Sequence, residues 1–389
     1  MIVLSVHNSY QIRGGEDKST SSERELLKEF GIEVITFDKT NHDITGIRKF
    51  YQMFLFLFNF KVFFEIRQII KKRNVDVVHV QNFFPLISPS VFFAAKSLGV
   101  PTLMTIRNYR LFCSNGLFYR DNNVCTKCIN NRFNFYALLY ACYRDSRLQS
   151  LYMAFLFWFY SVIGAWKKVD KFVLLTEFQK KLFLENGFSP SKLVVKGNFV
   201  SDQICPAEGK KKQVLFVGRI SEEKGIKDLI KLWSEVGVNT DLNLVIAGEG
   251  PLYDWLKEAS QKLPNVKVLG QVEYDTVYKL MAESTALIFT SNWFEGMPRT
   301  IIESYACGTP VISNNLGAMS SMIIDGKTGF KYNSLSQLRD LLQQVIDDQD
   351  QFIQMKEACI EEYKQKYEKK KNALDLITIY SDLLNRRMS

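Results

Sequence analysis

The stretch FEGMPRTIIESYACGTPVI, residues 294–312, sets two glutamates, Glu295 and Glu303, on either side of a proline. Proline suits the start of a helix and glycine its exit, so Pro298 and the pair Gly308 and Pro310 predict a helix from Pro298 to Cys307. Glu295 then stands in the loop before the helix, and Glu303 lies on it about 7 Å along the axis, at about 1.5 Å per residue. A helix N-terminus attracts anions, because its first N–H groups are unpaired and its dipole is positive there. Carboxylates beside such a place accept hydrogen bonds from hydroxyls. A ligand carrying both phosphate and hydroxyls, a sugar nucleotide, suits that combination. The alternative is a charged surface helix with an acidic first turn.

A second constellation lies upstream, in VGRISEEKGIKDLI at 217–230. Gly218 turns the chain after an apolar strand, Arg219 follows it, and Lys224-Gly225 opens the next helix. Two cations and free backbone N–H groups at a strand end match a diphosphate. A solvated loop with a charged run would read the same way. AGEGPLYDWL, at 247–256, is a further glycine-rich turn between strand and helix, weak as a lone signal.

The elements that must position these residues alternate along the whole chain. Short β-rich runs (IVLSV, EVITF, VDVVHV, PTLMTI and KFVLLT, then QVLFVG, LNLVIAG, VKVLG, ALIFT and PVISN) are separated by amphipathic helical stretches. That alternation predicts an α/β protein with parallel sheets covered by helices on both faces. The polar, basic segment PAEGKKKQ at 206–213 marks a domain boundary. The expected organisation is therefore an N-terminal Rossmann-like domain over 1–205, a second over 206–365, and a C-terminal helix over 366–389 that packs back on the first. From about Leu335 the chain reads as continuous helix, frayed only at NRRMS. Two such domains leave a cleft between the carboxyl ends of their strands, where ligands of these sheets bind.

At 389 residues the chain has room for two ordinary domains, each with its own core. Hydrophobic residues make up 47% and charged residues 23%, a globular balance. Two apolar runs, FYQMFLFLFNFKVFF at 50–64 and LYMAFLFWFYSVIGAW at 151–166, are shorter than the about 20 residues a membrane span wants. Lysines and arginines border both. They read either as core helices or as helices lying in an anionic membrane interface, and the formal net charge of +9 favours the second. No nucleic-acid-binding signature accompanies the charge. The N-terminus MIVLSVHNSYQ has no basic leader, which predicts a cytoplasmic protein at the inner face of the cell membrane. Cys113, Cys125, Cys128 and Cys142 lie within thirty residues and include one C-x2-C pair. Structural zinc, buried reduced thiols and a redox role all remain open for them.

The ordered set VGRISEEKG, LVIAGEGP, VKVLGQV, FEGMPRTIIE and ACGTPVIS resembles the donor half of family 4 retaining glycosyltransferases. The first half, with GGED, DVVHVQNFFPLISPSV, TIRNYRLFC and SNGLFYRDNNVCTKCI, resembles a cysteine-containing subgroup active in bacterial surface polysaccharide synthesis. The resemblance implies the two-domain GT-B fold and a UDP- or GDP-linked sugar as donor, with no catalytic metal. On its terms Arg219 and Lys224 hold the diphosphate, Glu303 binds ribose hydroxyls and Gln271 lies near the base. Glu295, with the backbone of Gly296, Met297 and Pro298, contacts the transferred sugar. Gly14 and Gly15 let the backbone approach donor and acceptor.

Two positions depart from that pattern. Gln81 stands where relatives carry a second histidine, and Arg107 where many carry a histidine beside the reacting sugar. Arginine stays protonated and cannot serve as a base, although it can stabilise developing negative charge. His79 is a candidate catalytic partner, or a core histidine on an apolar strand. The expected function is transfer of a sugar, with retention, to a lipid-linked or polysaccharide acceptor at the membrane surface. The competing readings are a catalytically silent sugar-nucleotide or glycan-binding subunit and a phosphorylase-like enzyme needing pyridoxal phosphate.

Overall fold

The structure is a computed structural model and describes residues 1–9, 15–41, 49–200, 209–238 and 240–388. In chain order the first elements are β1 (Ile2–Ser9), α1 (Gly15–Glu29), β2 (Glu33–Thr40), α2 (Lys49–Leu57), α3 (Phe60–Arg73), β3 (Val77–Asn82), α4 (Ser90–Lys96) and β4 (Thr102–Ile106). A small antiparallel hairpin follows, β5 (Tyr119–Arg120) and β6 (Asn123–Val124), and then α5 (Phe135–Leu139), α6 (Arg147–Val162), β7 (Lys171–Leu174), α7 (Glu177–Glu185) and β8 (Leu193–Val195). The remainder is β9 (Gln213–Val217), α8 (Ile226–Val236), β10 (Asn243–Ala247), α9 (Tyr253–Ser260), β11 (Val266–Gly270), α10 (Tyr274–Glu283), β12 (Ala286–Phe289), α11 (Arg299–Ala306), β13 (Val311–Asn314), α12 (Ala318–Met322) and β14 (Gly329–Tyr332). Four helices close the chain: α13 (Leu335–Asp347), α14 (Gln349–Ile353), α15 (Lys356–Lys366) and α16 (Lys369–Met388).

The chain divides into two compact units, Met1–Leu117 with Thr126–Lys196 and Ala373–Ser389, and Phe118–Cys125 with Gly197–Asn372. Each is built on a six-stranded sheet, in the order β2-β1-β3-β4-β7-β8 in the first and β11-β10-β9-β12-β13-β14 in the second. Every pairing within both sheets is parallel. Central strands buried on both faces read as continuous apolar runs, as β12 does here. Each order reverses direction at its first strand, β1 or β9, the switch point of a doubly wound sheet.

In the first unit, Val3, Val77, Leu103 and Val173 of the sheet pack against Leu376, Ile379, Tyr380 and Leu383. The three- and four-residue spacing of those last four places them on one face of α16. In the second unit, Trp233 of α8 is fully buried among β9, β10, α9 and α13 residues, and its indole N–H donates to Asn265 Oδ1 at 3.2 Å.

Three expectations change. The boundary expected at 206 falls inside the second unit, and 206–208 lie outside the described residues. The chain enters that unit at Gly197, where a Cβ would sit 2.7 Å from Met297 Cε and the carbonyl accepts from Asn372 Nδ2 at 2.8 Å. The helical tail is not continuous. Asp348, at φ −139°, ψ 81°, leaves the helical region and its carboxylate caps α14 through Gln351 N at 3.1 Å. Further breaks separate α14, α15 and α16, and α16 extends through the NRRM expected to fray. β8 and β14 were not foreseen, the one only three residues long and the other opening on Gly329. Glycine is obligatory there, because at φ +143° a Cβ would lie 1.9 Å from Val311 O.

Candidate active site

Lys224 and Gly225 stand between β9 and α8, drawn against the end of β12. Thr290 Oγ1 donates to Lys224 O at 2.7 Å, Asn292 N donates to Glu223 O at 2.8 Å, and Gly225, at φ +68°, leaves no room for a Cβ beside Thr290 O. The lysine side chain consequently lies beside the Phe289 and Trp293 rings, 5.6 and 5.5 Å from their centroids. Its ammonium meets Glu295 Oε1 at 2.5 Å. Ser291 Oγ and Trp293 Nε1 donate to the same oxygen at 2.6 and 2.7 Å. Burial raises the Glu295 pKa, but the Lys224 charge and these three donors outweigh it and hold the group below its ordinary value. Glu295 is thus a fixed carboxylate, and two of the three Lys224 N–H donors are not used on it.

Arg219 and Gln271 both line a cavity of about 290 Å³, together with Gly218, Gly248, Glu249 and Val277. Arg219 is exposed and makes no hydrogen bond or ion pair with the described residues. The glycines of the two turns are needed for the turns themselves: a Cβ on Gly248 would lie 1.9 Å from Gly218 O, and one on Gly250 2.4 Å from Ile220 O. Backbone packed on backbone in this way leaves the strand ends open.

The helix after the second motif begins at Arg299, with Pro298 as its cap at φ −70°, ψ 114°, one residue later than expected. Glu303, buried within α11, accepts from the Tyr274 hydroxyl and lies 3.7 Å from Arg299 Nε. Burial and the Glu303 charge push the Tyr274 phenol pKa up, so it remains a hydrogen-bond donor. Met297 points its sulfur at Asn198 N, 3.1 Å away, which leaves the backbone of Gly296 to Pro298 as the available part of that segment. Arg219 and Gln271 share one cavity, whereas Lys224 and Glu295 form a separate bridged pair in the same unit. α10 connects the cavity to Glu303, through Val277 and Tyr274 respectively.

In the first unit, Gly14 lies outside the described residues and Gly15 opens α1, where a Cβ would meet nothing within 4 Å. His79 is 1% exposed, with Nδ1 2.7 Å from the Tyr380 hydroxyl and Nε2 2.7 Å from Thr105 Oγ1. Burial lowers its pKa to about 4, against the opposing pull of Glu23, so the ring is neutral at pH 7. With both nitrogens engaged in the interior, His79 is placed as a core group. Arg107 is likewise turned inward. It donates to Gln81 Oε1 from Nε and Nη2 at 3.2 and 2.9 Å, and lies 3.7 Å from Glu23 Oε2. Gln81 donates in turn to Glu23, and Lys196 Nζ donates to Glu23 Oε2 at 3.1 Å. The two departures from the family pattern therefore contact each other.

The four-cysteine metal site does not form. Among the described residues no group of three or more His, Cys, Asp or Glu side chains is placed to hold a metal. Cys113, Cys125, Cys128 and Cys142 are not in disulfides, and Cys113 Sγ donates to Asn115 Oδ1 at 2.9 Å within its own turn. Sequence reasoning missed Ser291, Trp293, Tyr274 and Arg299 as partners of the two glutamates. It also missed Glu23 and Lys196, whose distance along the chain hides their contact. Ser291 and Trp293, in the SNWFEG run beside Glu295, were the discoverable ones.

Residues 21–203 match the model of the family described as Glycosyltransferase Family 4, and residues 201–366 that of Glycosyl transferases group 1. Together the two models span residues 21–366, and the chain has the GT-B fold. An uncharacterized glycosyltransferase of Methanocaldococcus jannaschii is 22% identical over 396 residues, covering 98% of this chain and 99% of its own. An uncharacterized 42.6 kDa protein in the cps region of Klebsiella pneumoniae is 25% identical over 272 residues, covering 68% of this chain and 64% of its own. Among solved structures, Anabaena HepE in complex with UDP superposes with a TM-score of 0.68 at 15% identity, covering 98% of this chain and 100% of HepE. That likeness establishes the fold.

Proposed function

We propose that this glycosyltransferase moves a sugar from a UDP- or GDP-linked donor to a lipid-linked or polysaccharide acceptor, with retention of configuration and without a catalytic metal. The observation that carries the reading is the second unit's pair of cations, Arg219 unengaged on its cavity and Lys224 with two N–H groups to spare, followed in sequence by Glu295, bridged to Lys224, and the buried Glu303. Arg219 and Lys224 supply the positive charge that a departing diphosphate needs. Glu295 and Glu303 accept hydroxyls of sugar and ribose, and Gly15 permits close approach. In the transfer, the anomeric C–O bond to phosphate breaks and a bond to the acceptor oxygen forms on the same face. The departing phosphate oxygen takes the acceptor proton. Arg107 acts through the fold in this account, by holding Gln81 and Glu23. The UDP bound by HepE supports uridine, and the cps-region relative supports a polysaccharide acceptor.

Attachment to an anionic membrane surface is the second part of the proposal. Among the described residues no helix is long and apolar enough to cross a membrane. The first unit instead exposes apolar faces on three helices: Leu148, Leu151, Phe155, Trp158 and Val162 at alternating three- and four-residue spacing on α6, Phe60 and Phe64 on α3, and Phe54 on α2. Lys61, Lys71, Lys72 and Lys167 border these segments. Such faces suit the interface of an anionic bilayer.

Donor turnover tests the chemistry. Purified protein incubated with UDP-glucose, UDP-galactose or GDP-mannose and a membrane extract of lipid-linked glycans should release one nucleoside diphosphate and give an α-linked product from an α-linked donor. A β-linked product refutes retention, and nucleotide binding without turnover of any donor favours the silent subunit. Flotation with phosphatidylglycerol vesicles, weakening as salt rises, is expected for the membrane part; failure to float removes it.

A further inference from the structure

A second cavity, of about 270 Å³, lies wholly in the first unit and takes no part in the site described above. Asn131, Arg132, Asn134, Trp158, Trp166 and Glu185 line it. It shares the walls Leu111 and Phe157 with a much smaller hollow of about 20 Å³ at the end of β4, where Arg107, Asn108 and Arg110 stand. The larger cavity is therefore next to the strand end at which the first unit's polar network sits.

Its lining is polar and under-used. Asn134 precedes α5, and its side-chain amide makes no capping hydrogen bond to that helix. Arg132, two residues away, is exposed and makes no ion pair or hydrogen bond with the described residues. Asn131 spends Nδ2 on Lys127 O at 2.9 Å, and its Oδ1 makes no hydrogen bond with the described residues. The aromatic walls are held in place: Trp166 sits edge-on to Tyr160 at 6.0 Å and Trp158 to Phe133 at 6.4 Å.

We propose that this cavity is a glycan subsite, taking an uncharged sugar of the acceptor chain at a distance from the reacting hydroxyl. The proposal rests on the glycosyl-transfer reading and names the substrate class of that activity. A sugar ring presents apolar C–H faces and a rim of hydroxyls that both donate and accept. Fixed indoles offer the flat apolar surface. Asparagine amides offer donor and acceptor together, and Arg132 and Glu185 add a charged donor and a charged acceptor for neighbouring hydroxyls. A phosphate-bearing ligand fits worse, because it would bring its charge towards Glu185.

Saturation-transfer NMR tests it, using glucose, galactose, N-acetylglucosamine and their disaccharides, each with the full-length protein and excess UDP and GDP to fill any donor site. At least one sugar is expected to receive saturation from the wild-type protein, with the signal falling several-fold in Arg132→Ala and in Trp158→Ala, both exposed positions. The UDP- or GDP-induced thermal shift should be unchanged in both variants. Sugar signals that survive both substitutions overturn the subsite, as does the absence of signal from a protein that still shows the nucleotide shift. Displacement of bound sugar by glycerol phosphate, with glycerol phosphate binding more tightly, overturns it in favour of a lipid headgroup. Loss of the nucleotide shift in the wild type would instead count against the donor reading.

Discussion

Both units set a carboxylate against a lysine near the carboxyl ends of a parallel sheet, and the two pairs have different uses. Glu23 and Lys196 lie in the first unit, each with a side chain no more than 6% exposed. Gln81 and Arg107 close around the same carboxylate. Burial raises the Glu23 pKa, but Lys196, His79 and Arg107 together pull it down to about 2. Glu295 and Lys224 in the second unit are bridged as closely, but the lysine is partly exposed, has donors to spare and lies in the same unit as an unengaged arginine. Residue types are the same in both, although Glu23 projects from α1 and Glu295 from the loop before α11. Saturation and burial separate a pair that holds a fold together from one that can turn towards a ligand.

The contrast breaks most visibly at the carboxylates. Glu23→Ala leaves buried Lys196 and Arg107 without their counter-charge, and urea unfolding should show a loss of about 3–5 kcal/mol. Glu295→Ala should do the reverse, with folding stability affected less and donor turnover reduced about 100- to 1,000-fold, the size seen when one transition-state contact is removed. Similar unfolding midpoints in the two variants would dissolve the distinction.

Acid sharpens it. Between its ordinary value of 6.5 and about 4, His79 takes up a proton only when the chain unfolds, so the first unit loses stability as pH falls through that window. Glu23 continues the trend between 4.5 and about 2, because there too the unfolded chain binds more protons. Each contributes on the order of 3 kcal/mol across its window. Urea midpoints measured from pH 7 to pH 4 should fall steeply in the wild type and less steeply in His79→Gln. Parallel curves would contradict the assignment. A smaller effect is expected where Gln81 and Arg107 meet. Gln81→Ala, Arg107→Ala and the double variant should be non-additive by about 0.5–3 kcal/mol, whereas independent roles would give simple addition. Smallest is Tyr274→Phe, which removes one donor to Glu303 and should cost about 1 kcal/mol of stability.

Much of this was legible in the sequence for physical reasons. All ten strands predicted from apolar runs exist, the central ones because a parallel strand buried on both faces has no polar alternation to confuse the reading. The short edge strands β8 and β14 were not, having too few residues to show a pattern. In the site, the glutamates and cations could be found from local spacing. What each one touches could not, since Lys224 reaches Glu295 across 71 residues and Lys196 reaches Glu23 across 173. The cysteine spacing misled because a C-x2-C pair fixes only two ligands, and the fold does not bring the other two to them. The histidine on β3 read either way in the sequence, and the structure buries it between two partners that lie far along the chain.

The central claim is that the second unit binds a nucleoside diphosphate. Thermal unfolding of the pure protein against UDP, GDP, ADP and their sugar conjugates, in wild type and Glu303→Ala, tests it most directly. At about a hundred times its dissociation constant the correct nucleotide should add roughly 2.7 kcal/mol of stability. The account predicts a shift with one base only, lost in Glu303→Ala. No shift with any nucleotide in the wild type, or an equal shift in the variant, would contradict it.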